Sequence, residues 1–555
     1  MTDLSDEKPS LVSVSQGFSV SYKGKYLYSR YNPERAVKAA AENLSIPSGT
    51  LVVVFSPVLW YAIESVFEKL EDSFVVAIEN EKPLFDLCKE KLPSPYASRI
   101  ALFDTKSAKD KIKSLVRSGK IKRAVRLDLS GGTQFHRDEY SDFFARVQDE
   151  ISIFWKNRIT LSRFGRIYAR NIMKSLSILP STLPFADFEK SVEKPIIVFG
   201  AGESAEKLLT SLPSPLIKKC YIIAVDAAVL PLEAHGIKID AIVTVEAQSA
   251  IDACFLGINE KSAVLFADVC SRTIRRKVNV GAVCAFCSKY DDARYLEKLS
   301  EKNILPTVID PLGSVGLVAV RLALLLRSQQ SIPVFVCGLD FSYSVGATHT
   351  KASPAHEARL FRTSRLLPID NIDAAFASGT EKALDKTGAK TLVTTKNLSG
   401  YASLFASYFS QTQFLFDAGE SGLPLGIPRV NLGEVSSFLS RVDCAKTVNK
   451  PLFSSKQRND LKKRVTDYYK GEESALLHLK ALLMNGESEM SESEKEKESL
   501  SETILRFLHE RDYLYLHFPD GFSPNAQSQF LKRVRAEIDT FLKDIRLGLN
   551  QMILE

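Results

Sequence analysis

The sequence predicts an α/β protein with a Rossmann-like, doubly wound central domain, an α/β N-terminal domain and a mainly α-helical C-terminal domain. Short apolar segments alternate with helical segments through the first two-thirds of the chain, which indicates parallel sheets joined by helices. The central strands are continuously apolar, as expected when both faces of a sheet are covered. From Val442 onward, apolar residues recur at helical spacing, which predicts packed helices.

The length of 555 residues suggests three or four units at about 150 residues per domain. Breaks in the pattern predict an N-terminal α/β domain with a helical connector over 1–183 and a central domain over 184–371. An insert or linker over 372–440 and a helical domain over 441–555 follow.

The N-terminal domain alternates helix and strand and closes its second strand with Glu79. An acidic residue there binds ribose in dinucleotide folds, but Ser56 and Pro57 occupy the turn that would be glycine-rich in such a site. A scaffold role is therefore favoured. The predicted elements are a hairpin over 18–31, helices over 34–44 and 60–70, strands over 51–55 and 74–79, and a connecting helix over 138–179.

Candidate functional residues lie in the central domain, because ligands of open parallel sheets bind outside the carboxyl ends of the strands. The seven predicted strands cover 195–199, 221–225, 241–245, 263–266, 280–286, 307–309 and 334–337.

The first of these strands runs into a turn containing Gly200, Gly202, Glu203 and Ser204. Glycines let the backbone approach a ligand, and the N–H groups of the following helix suit a phosphate. A tight turn without a ligand explains the same glycines.

Polar residues also follow the later strands: Asp226, Glu246 and Gln248. Any one acidic residue could cap a helix, whereas several at successive strand ends indicate a site. Gly313 and Ser314 precede a long apolar helix and form a second candidate anion-binding terminus.

The last central strand leads into a polar loop that ends at His349. A histidine at the ligand-binding edge can act as a general acid or base, and it is as often an incidental loop residue. Its neighbours Asp340, Tyr343 and Thr348 complete the candidate set, with Asp340 and His349 as the candidate catalytic pair.

The composition of the chain narrows the class of protein. The net charge of +7 comes from 73 basic and 66 acidic side chains, which does not indicate nucleic-acid binding. The first residues lack the apolar segment of a signal peptide, and the apolar stretch 315–326 is shorter than the roughly 20 residues that span a bilayer. The cysteines lie in apolar runs without a metal-binding spacing, so we expect no metal ligands and a cytoplasmic location.

Several of these motifs resemble the central domain of the motility-associated factor (Maf) family of flagellin glycosyltransferases, which is similar to bacterial sialyltransferases and to 6-hydroxymethylpterin diphosphokinase (MptE-like) domains. The connector with Trp155, Arg170 and Asn171 is similar to the family's N-terminal domain. The motifs are Ile197-Val-Phe-Gly-Ala-Gly-Glu-Ser204, Ile223-Ala-Val-Asp-Ala-Ala228, Asp240-Ala-Ile-Val-Thr-Val-Glu246, Gly313-Ser-Val315 and Val336-Cys-Gly-Leu-Asp-Phe341 with Thr348-His349.

The resemblance implies transfer of a pseudaminic or legionaminic type of nonulosonic acid from its CMP-activated form to Ser or Thr of flagellin. The glycine turn and Asp226 would hold the nucleotide, and His349 would deprotonate the acceptor or assist the departing phosphate. It implies no tightly bound cofactor and leaves a divalent metal open. Glu203 stands where the family usually has proline, and Glu246 where it has aspartate.

Two alternatives stand beside this expectation. The shared domain type also suits an ATP-dependent pyrophosphokinase, which need not carry a Gly-x-x-x-x-Gly-Lys-Ser/Thr loop. A non-catalytic module that binds flagellin or its chaperone would keep the fold and lose the site.

Overall fold

The computed structural model describes residues 8–71, 73–289, 293–369, 379–441, 455–488 and 494–554. The chain forms two compact units, one of Met1–Arg163 with Leu516–Ser523 and one of Phe164–Tyr515 with Pro524–Glu555. The finer division into four segments stays a prediction.

The first unit contains a four-stranded parallel sheet in the order β6-β5-β4-β7 and a small antiparallel sheet β1-β2-β3. Its strands are β1 (Ser10–Val14), β2 (Gly17–Tyr22), β3 (Lys25–Tyr26), β4 (Thr50–Phe55), β5 (Phe74–Ile78), β6 (Ile100–Phe103) and β7 (Arg123–Asp128). Its helices are α1 (Arg35–Asn43), α2 (Ile63–Phe67), α3 (Lys82–Glu90), α4 (Ala108–Arg117) and the first part of α5 (Arg137–Ser175).

Most predicted elements of this unit are confirmed, and one helix is much shorter than predicted. The residues 60–70 were expected to be helical, but only Ile63–Phe67 is. Trp60 and Ala62 have φ values of 60° and 64°, which a right-handed helix excludes. The apolar periodicity there reflects burial of an irregular turn rather than a longer helix.

The second unit is built on an eight-stranded sheet in the order β13-β12-β11-β10-β9-β8-β14-β17, in which every neighbouring pair is parallel. All seven predicted central strands are present, which confirms the doubly wound α/β class. The strands are β8 (Ile196–Phe199), β9 (Tyr221–Val225), β10 (Ala241–Thr244), β11 (Glu260–Asp268), β12 (Val280–Ser288), β13 (Val308–Ile309), β14 (Val334–Cys337) and β17 (Leu415–Asp417).

The eighth strand, β17, and a hairpin between β14 and β17 were not predicted. The hairpin consists of β15 (Thr380–Leu384) and β16 (Thr391–Thr395) and lies in a stretch whose polar sequence carries little apolar alternation. The helices of this unit are the end of α5, α6 (Ala205–Ser211), α7 (Ser214–Ile217), α8 (Val229–Ala234), α9 (Arg294–Glu301), α10 (Val315–Leu326), α11 (Pro354–Leu360), α12 (Lys396–Phe409), α13 (Leu432–Ser440), α14 (Ser455–Ser488), α15 (Glu494–His509) and α16 (Ser528–Leu554).

The long C-terminal helices confirm the predicted helical character of the described residues from 455 onward. Residues 442–454, where the prediction begins, lie outside the described residues. The apolar stripe of α16 is buried at Val534, Ile538, Phe541 and Ile545. A Cβ added at Gly548 of α16 would lie 2.5 Å from the hydroxyl of Tyr469 on α14, so a small residue is required where these helices meet. Within the charged segment 485–502, residues 489–493 lie outside the described residues.

A buried ion pair joins α14 to the end of α15. The guanidinium of Arg511 lies 2.9 Å from Oε1 of Glu472, and the Tyr513 hydroxyl donates to the same oxygen at 2.7 Å. The side chains of Glu472 and Arg511 are 3% and 6% exposed, so neither charge is solvated.

The apolar α10 is twelve residues long and packs against β8, β9, β10 and β14. Among the described helices, none combines the length and hydropathy needed to cross a membrane.

Replacing Glu472 with Ala should lower the free energy of unfolding by about 3 kcal/mol, because the buried Arg511 would lose its nearer carboxylate partner. The more exposed Glu510, 3.5 Å from Arg511, would remain as its other partner. Thermal and urea unfolding followed by circular dichroism measure this. Asp539→Ala is the matched control, since it removes an exposed pair with Lys480 and should cost under about 1 kcal/mol. Equal losses of stability in both variants would contradict the importance of the buried pair between Glu472 and Arg511.

Candidate active site

The candidate site lies at the carboxyl edge of the eight-stranded sheet. The chain proceeds from β8 through β9 to β13 in one direction and then returns to place β14 and β17 on the other side of β8. This reversal creates a topological switch point between β8 and β14, the position where open α/β sheets bind ligands. The predicted residues that follow these two strands therefore lie at this edge of the sheet, on either side of the switch point, which we call the switch-point crevice.

Backbone contacts hold together the two turns that flank the crevice. The N–H of Gly200 donates to the Cys337 carbonyl at 2.7 Å, and the N–H of Gly202 donates to the Gly338 carbonyl at 2.9 Å. A Cβ at Gly200 would lie 2.2 Å from the Gly338 carbonyl oxygen. The glycines therefore allow the two turns to approach each other.

Asp340 completes this connection. One of its carboxylate oxygens accepts the Ser204 N–H at 2.8 Å, and the other accepts the Ser204 hydroxyl. Burial raises the pKa of Asp340 to about 6, against the opposing effect of the Ser204 hydrogen bonds. We call this set, Gly200, Gly202, Ser204, Gly338 and Asp340, the turn lock.

The turn lock changes what the glycine turn offers to a ligand. The Ser204 N–H at the start of α6 was predicted to face a phosphate, but it already donates to Asp340. The carboxylate that was predicted to be catalytic thus holds two turns together. The proposed nucleotide contacts of Gly200, Gly202, Glu203 and Ser204 stay predictions, and so does the catalytic role of Asp340.

A second buried ion pair lies beside the turn lock. The Lys386 ammonium, at the tip of the β15–β16 hairpin, lies 2.8 and 2.7 Å from the two carboxylate oxygens of Asp417 at the end of β17. The two side chains are 2% and 3% exposed. A Cβ at Gly419 would lie 2.8 Å from Oγ of Ser204, so this pair and the turn lock are adjacent.

The same hairpin holds the loop that carries His349. The Tyr343 and Val393 backbones exchange hydrogen bonds of 2.8 and 3.0 Å, and the Thr394 hydroxyl donates to the Phe341 carbonyl at 2.8 Å. At the far end of the loop, the Thr350 N–H donates to the Ala201 carbonyl at 2.9 Å. The loop is therefore fixed at both ends.

His349 is half-buried in this loop. Its Nδ1 lies 3.0 Å from Oγ1 of the buried Thr348, which also accepts a hydrogen bond from the Arg359 guanidinium on α11. The helix α11 begins at Pro354, four residues after Thr350, and Arg359 near its end contacts this hydroxyl. The Thr348 hydroxyl thus positions the His349 ring, and a positioned imidazole is suited to proton transfer.

Asp226 is buried at the end of β9. Its carboxylate accepts the Ala227 N–H at 2.8 Å and the Thr244 hydroxyl at 3.2 Å. Burial raises the pKa of Asp226 to about 6, and the nearby charge of Glu246 adds to the rise. Such a carboxyl at a ligand-binding edge is a typical functional-site residue.

Glu246 and Gln248 lie in the loop after β10. The Glu246 carboxylate accepts the Gln248 N–H at 2.9 Å, while the Gln248 side chain is exposed. Asn171 on α5 fixes this loop by donating to the Ala247 and Cys270 carbonyls at 3.0 and 2.9 Å. Asn171 therefore fixes both the loop after β10 and the loop after β11.

Two tyrosines face the same loop. Burial raises the pKa of both Tyr168 and Tyr401, and the charge of Glu246 raises each further. Tyr401 also lies against the start of α10, because a Cβ at Gly313 would be 3.2 Å from its ring. Neither tyrosine was predicted, since they lie on α5 and α12, far in sequence from the strand ends.

The second predicted anion site, at the start of α10, is more open than the first. Ser314 occupies the position before the helix and makes no side-chain capping hydrogen bond. Gly313 is exposed and has a φ of 69°, a conformation that favours glycine. The first N–H groups of α10 lack partners within the helix, as at any helix start.

Within the described ranges, no three His, Cys, Asp or Glu side chains are grouped so that they could hold a metal ion.

The smaller sheet of the first unit has its own switch point, between β4 and β7, and protein side chains fill it. Glu79 accepts the Ser56 hydroxyl at 2.7 Å and the Tyr140 hydroxyl at 3.1 Å. A Cβ at Gly132 would lie 2.2 Å from the Ser56 hydroxyl oxygen. This packing favours the scaffold role expected for the N-terminal domain.

Comparison with known proteins agrees with the motifs. Residues 168–346 match the family model described as 6-hydroxymethylpterin diphosphokinase MptE-like. This matched stretch, which we call the MptE-like segment, contains most of the strand-end residues described above.

Two whole-chain similarities extend this result. An uncharacterised protein of Treponema pallidum (strain Nichols) is 28% identical and aligns over 98% of this chain and 96% of its own. The structure of the Maf glycosyltransferase from Magnetospirillum magneticum AMB-1 matches 98% of this chain and 92% of its own, with a TM-score of 0.50 and 12% identity. The predicted resemblance to the Maf fold is confirmed.

Replacing Gly200 with Ala should lower the free energy of unfolding by about 1–3 kcal/mol, because its Cβ would meet the backbone of Gly338. The control is Gly400→Ala in α12, where an added Cβ meets nothing within 4 Å and the helix should gain up to about 1 kcal/mol. Urea titration of both variants measures the difference. A Gly200 variant as stable as wild type would contradict the close approach.

Replacing Asp226 with Asn should stabilise the protein at pH 8 by up to about 3 kcal/mol and leave stability unchanged near pH 4. The native pKa is about 6 and the ordinary value is 3.8. The folded state therefore binds more protons between these values, and the wild type loses stability as the pH rises through about 6.

Melting temperatures at several pH values test this expectation. Glu420→Gln is the control, because Glu420 is exposed and pairs with an exposed lysine. A stability gain that is the same at pH 4 and pH 8 would rule out the titration of Asp226 as its cause.

Proposed function

We propose that this protein is a glycosyltransferase that transfers a nonulosonic acid from a CMP-activated donor to Ser or Thr hydroxyls of flagellin in the cytoplasm. The observation that supports it most is that the MptE-like segment coincides with the switch-point crevice and its polar residues. Similarity to the fold of a Maf glycosyltransferase over nearly the whole chain adds support.

The donor phosphate is proposed to lie at the start of α10. This helix begins with N–H groups that have no partner within the helix and that lie beside the Ser314 hydroxyl, whereas the Ser204 N–H before α6 is already bonded to Asp340. The ring of Tyr401 beside Gly313 would face the cytosine. Asp226 and Glu246 would accept hydrogen bonds from the ribose hydroxyls.

The transfer itself needs one proton to move. The acceptor oxygen forms a bond to the anomeric carbon of the sugar, the bond from that carbon to the phosphate oxygen breaks, and CMP leaves with the bonding electrons. The acceptor hydroxyl gives up its proton. His349, at the edge of the crevice, is the proposed catalytic residue, and Asp340 positions its loop.

The contacts of His349 allow two proton arrangements. In the protonated ring, Nδ1 donates to the Thr348 hydroxyl and Nε2 also carries a hydrogen, which suits protonation of the departing phosphate. In the neutral ring with the hydrogen on Nδ1, Nδ1 still donates to Thr348, and Nε2 is free of hydrogen and suits deprotonation of the acceptor. A base role predicts that the rate falls on acidification, whereas an acid role predicts a fall on alkalinisation.

A second function is favoured by the description of the matched family, a pterin diphosphokinase type. In that case the oxygen of a substrate hydroxyl would form a bond to the β-phosphorus of ATP, the bond to the α-phosphate would break, AMP would leave, and the hydroxyl would lose its proton. The same helix start would hold the transferred phosphates. Magnesium-dependent binding of ATP without binding of CMP would support this alternative.

Calorimetric titration with CMP, and then with ATP and magnesium, separates these functions. The proposal predicts saturable CMP binding that weakens about tenfold or more in Asp226→Asn. His349→Ala should keep CMP binding and lose about 10²- to 10⁴-fold in sugar transfer. His509→Ala, which removes an exposed histidine on α15, is the control.

Titrations repeated with a chelator show whether binding needs a divalent metal. Wild-type transfer rates in His349→Ala would remove its assigned role. Binding of neither nucleotide would favour a non-catalytic module that contacts flagellin or its chaperone.

A further inference from the structure

A solvent-exposed apolar segment follows α11. Phe361 is 87% exposed and Leu366 is 91% exposed, and Leu360 and Leu367 are more than 40% exposed. Single exposed apolar residues are common on protein surfaces, but four large ones within eight residues form a contiguous stretch of chain. Such stretches mark surfaces that bind other molecules.

Backbone hydrogen bonds hold these side chains outward. The Phe361 N–H donates to the Glu357 carbonyl at 3.0 Å, which extends the last turn of α11. Ser364 and Leu367 exchange backbone hydrogen bonds of 2.9 and 3.1 Å and place Leu366 inside a closed turn. The exposure therefore belongs to an ordered conformation.

The charges in this segment have one sign. Every charged residue between 358 and 369 is an arginine, namely Arg359, Arg362 and Arg365. Within the part of the chain that the structure describes, Arg362 and Arg365 form no ion pair. Aromatic residues and arginine are enriched at protein interfaces, whereas lysine is depleted. We call Leu360, Phe361, Arg362, Arg365, Leu366 and Leu367 the arginine patch.

The arginine patch is continuous with the candidate active site. Arg359, directly before it, donates to the Thr348 hydroxyl beside His349. The start of α11 is joined to the same loop, because the Ser353 N–H donates to the Thr350 carbonyl at 3.3 Å. A polypeptide bound on the patch could therefore place a side chain near His349.

We infer that the arginine patch binds the acceptor protein, through a segment that carries acidic side chains next to apolar ones. The inference rests on the proposed transfer to a protein and names the surface that recognises it. Arg362 and Arg365, which form no ion pair among the described residues, favour an acidic partner, and the exposed Phe361 and Leu366 favour apolar contacts. Continuity with the His349 loop favours a polypeptide over a membrane surface as the occupant.

The test compares two double variants of the full-length protein with a control. F361S/L366S removes the apolar contacts, R362E/R365E reverses the charge, and Ile553→Ser alters a residue on α16 that is 71% exposed. Three quantities are measured: hydrolysis of CMP-nonulosonic acid without acceptor, the KM for purified flagellin of the same genome, and flagellin binding by interferometry.

Both double variants should raise the KM and the Kd for flagellin by about tenfold or more. Donor hydrolysis should stay within about twofold of wild type, since none of these side chains belongs to the donor site. The effect of R362E/R365E should shrink at high salt, because it acts through exposed charges. Ile553→Ser should leave all three quantities unchanged.

An unchanged KM and Kd in both variants would overturn the inference. So would wild-type protein that binds no flagellin and instead binds phosphatidylglycerol-containing vesicles or self-associates through the patch. Failure of the proposed transfer is seen separately, as absence of donor hydrolysis in wild type. If donor hydrolysis is absent but wild-type protein binds flagellin and the double variants do not, the result would still support the arginine patch as the flagellin-binding surface.

Discussion

The turn lock between Asp340 and Ser204 is the contact on which the candidate site depends. It joins the turns after β8 and β14, where the strand order reverses and the crevice opens. The protein keeps a buried carboxyl there, with a pKa of about 6, although an ionised carboxylate is costly to bury. In return the turns after β8 and β14 are held together at a fixed separation.

The β15–β16 hairpin also fixes the loop that carries His349, the candidate catalytic residue. Lys386 at its tip pairs with Asp417, and its second strand bonds to the loop that carries His349. The outer wall, in contrast, exposes the arginine patch to solvent. Under the proposed function, a rigid site for the donor beside an exposed surface for the acceptor would suit an enzyme that binds one small molecule and one large protein.

Much of the fold could be predicted because buried strands are short and continuously apolar, as in β8, β9 and β14. The strand β17 has only three residues, and the hairpin is too polar to stand out. The strand-end rule found Asp226 and Ser204, but not that Ser204 is bonded to Asp340, 136 positions away. Asn171, Tyr168 and Lys386 were missed for the same reason: only tertiary packing brings them to the crevice.

The attachment of the His349 loop to later parts of the chain also has a consequence during protein synthesis. The Asp340 carbonyl accepts the N–H of Leu423, and Lys386 requires Asp417. A nascent chain that has left the ribosome only as far as the end of the MptE-like segment cannot yet form these contacts. The crevice should therefore reach its final geometry only after about eighty further residues have been translated, so an incomplete chain would be inert towards the donor.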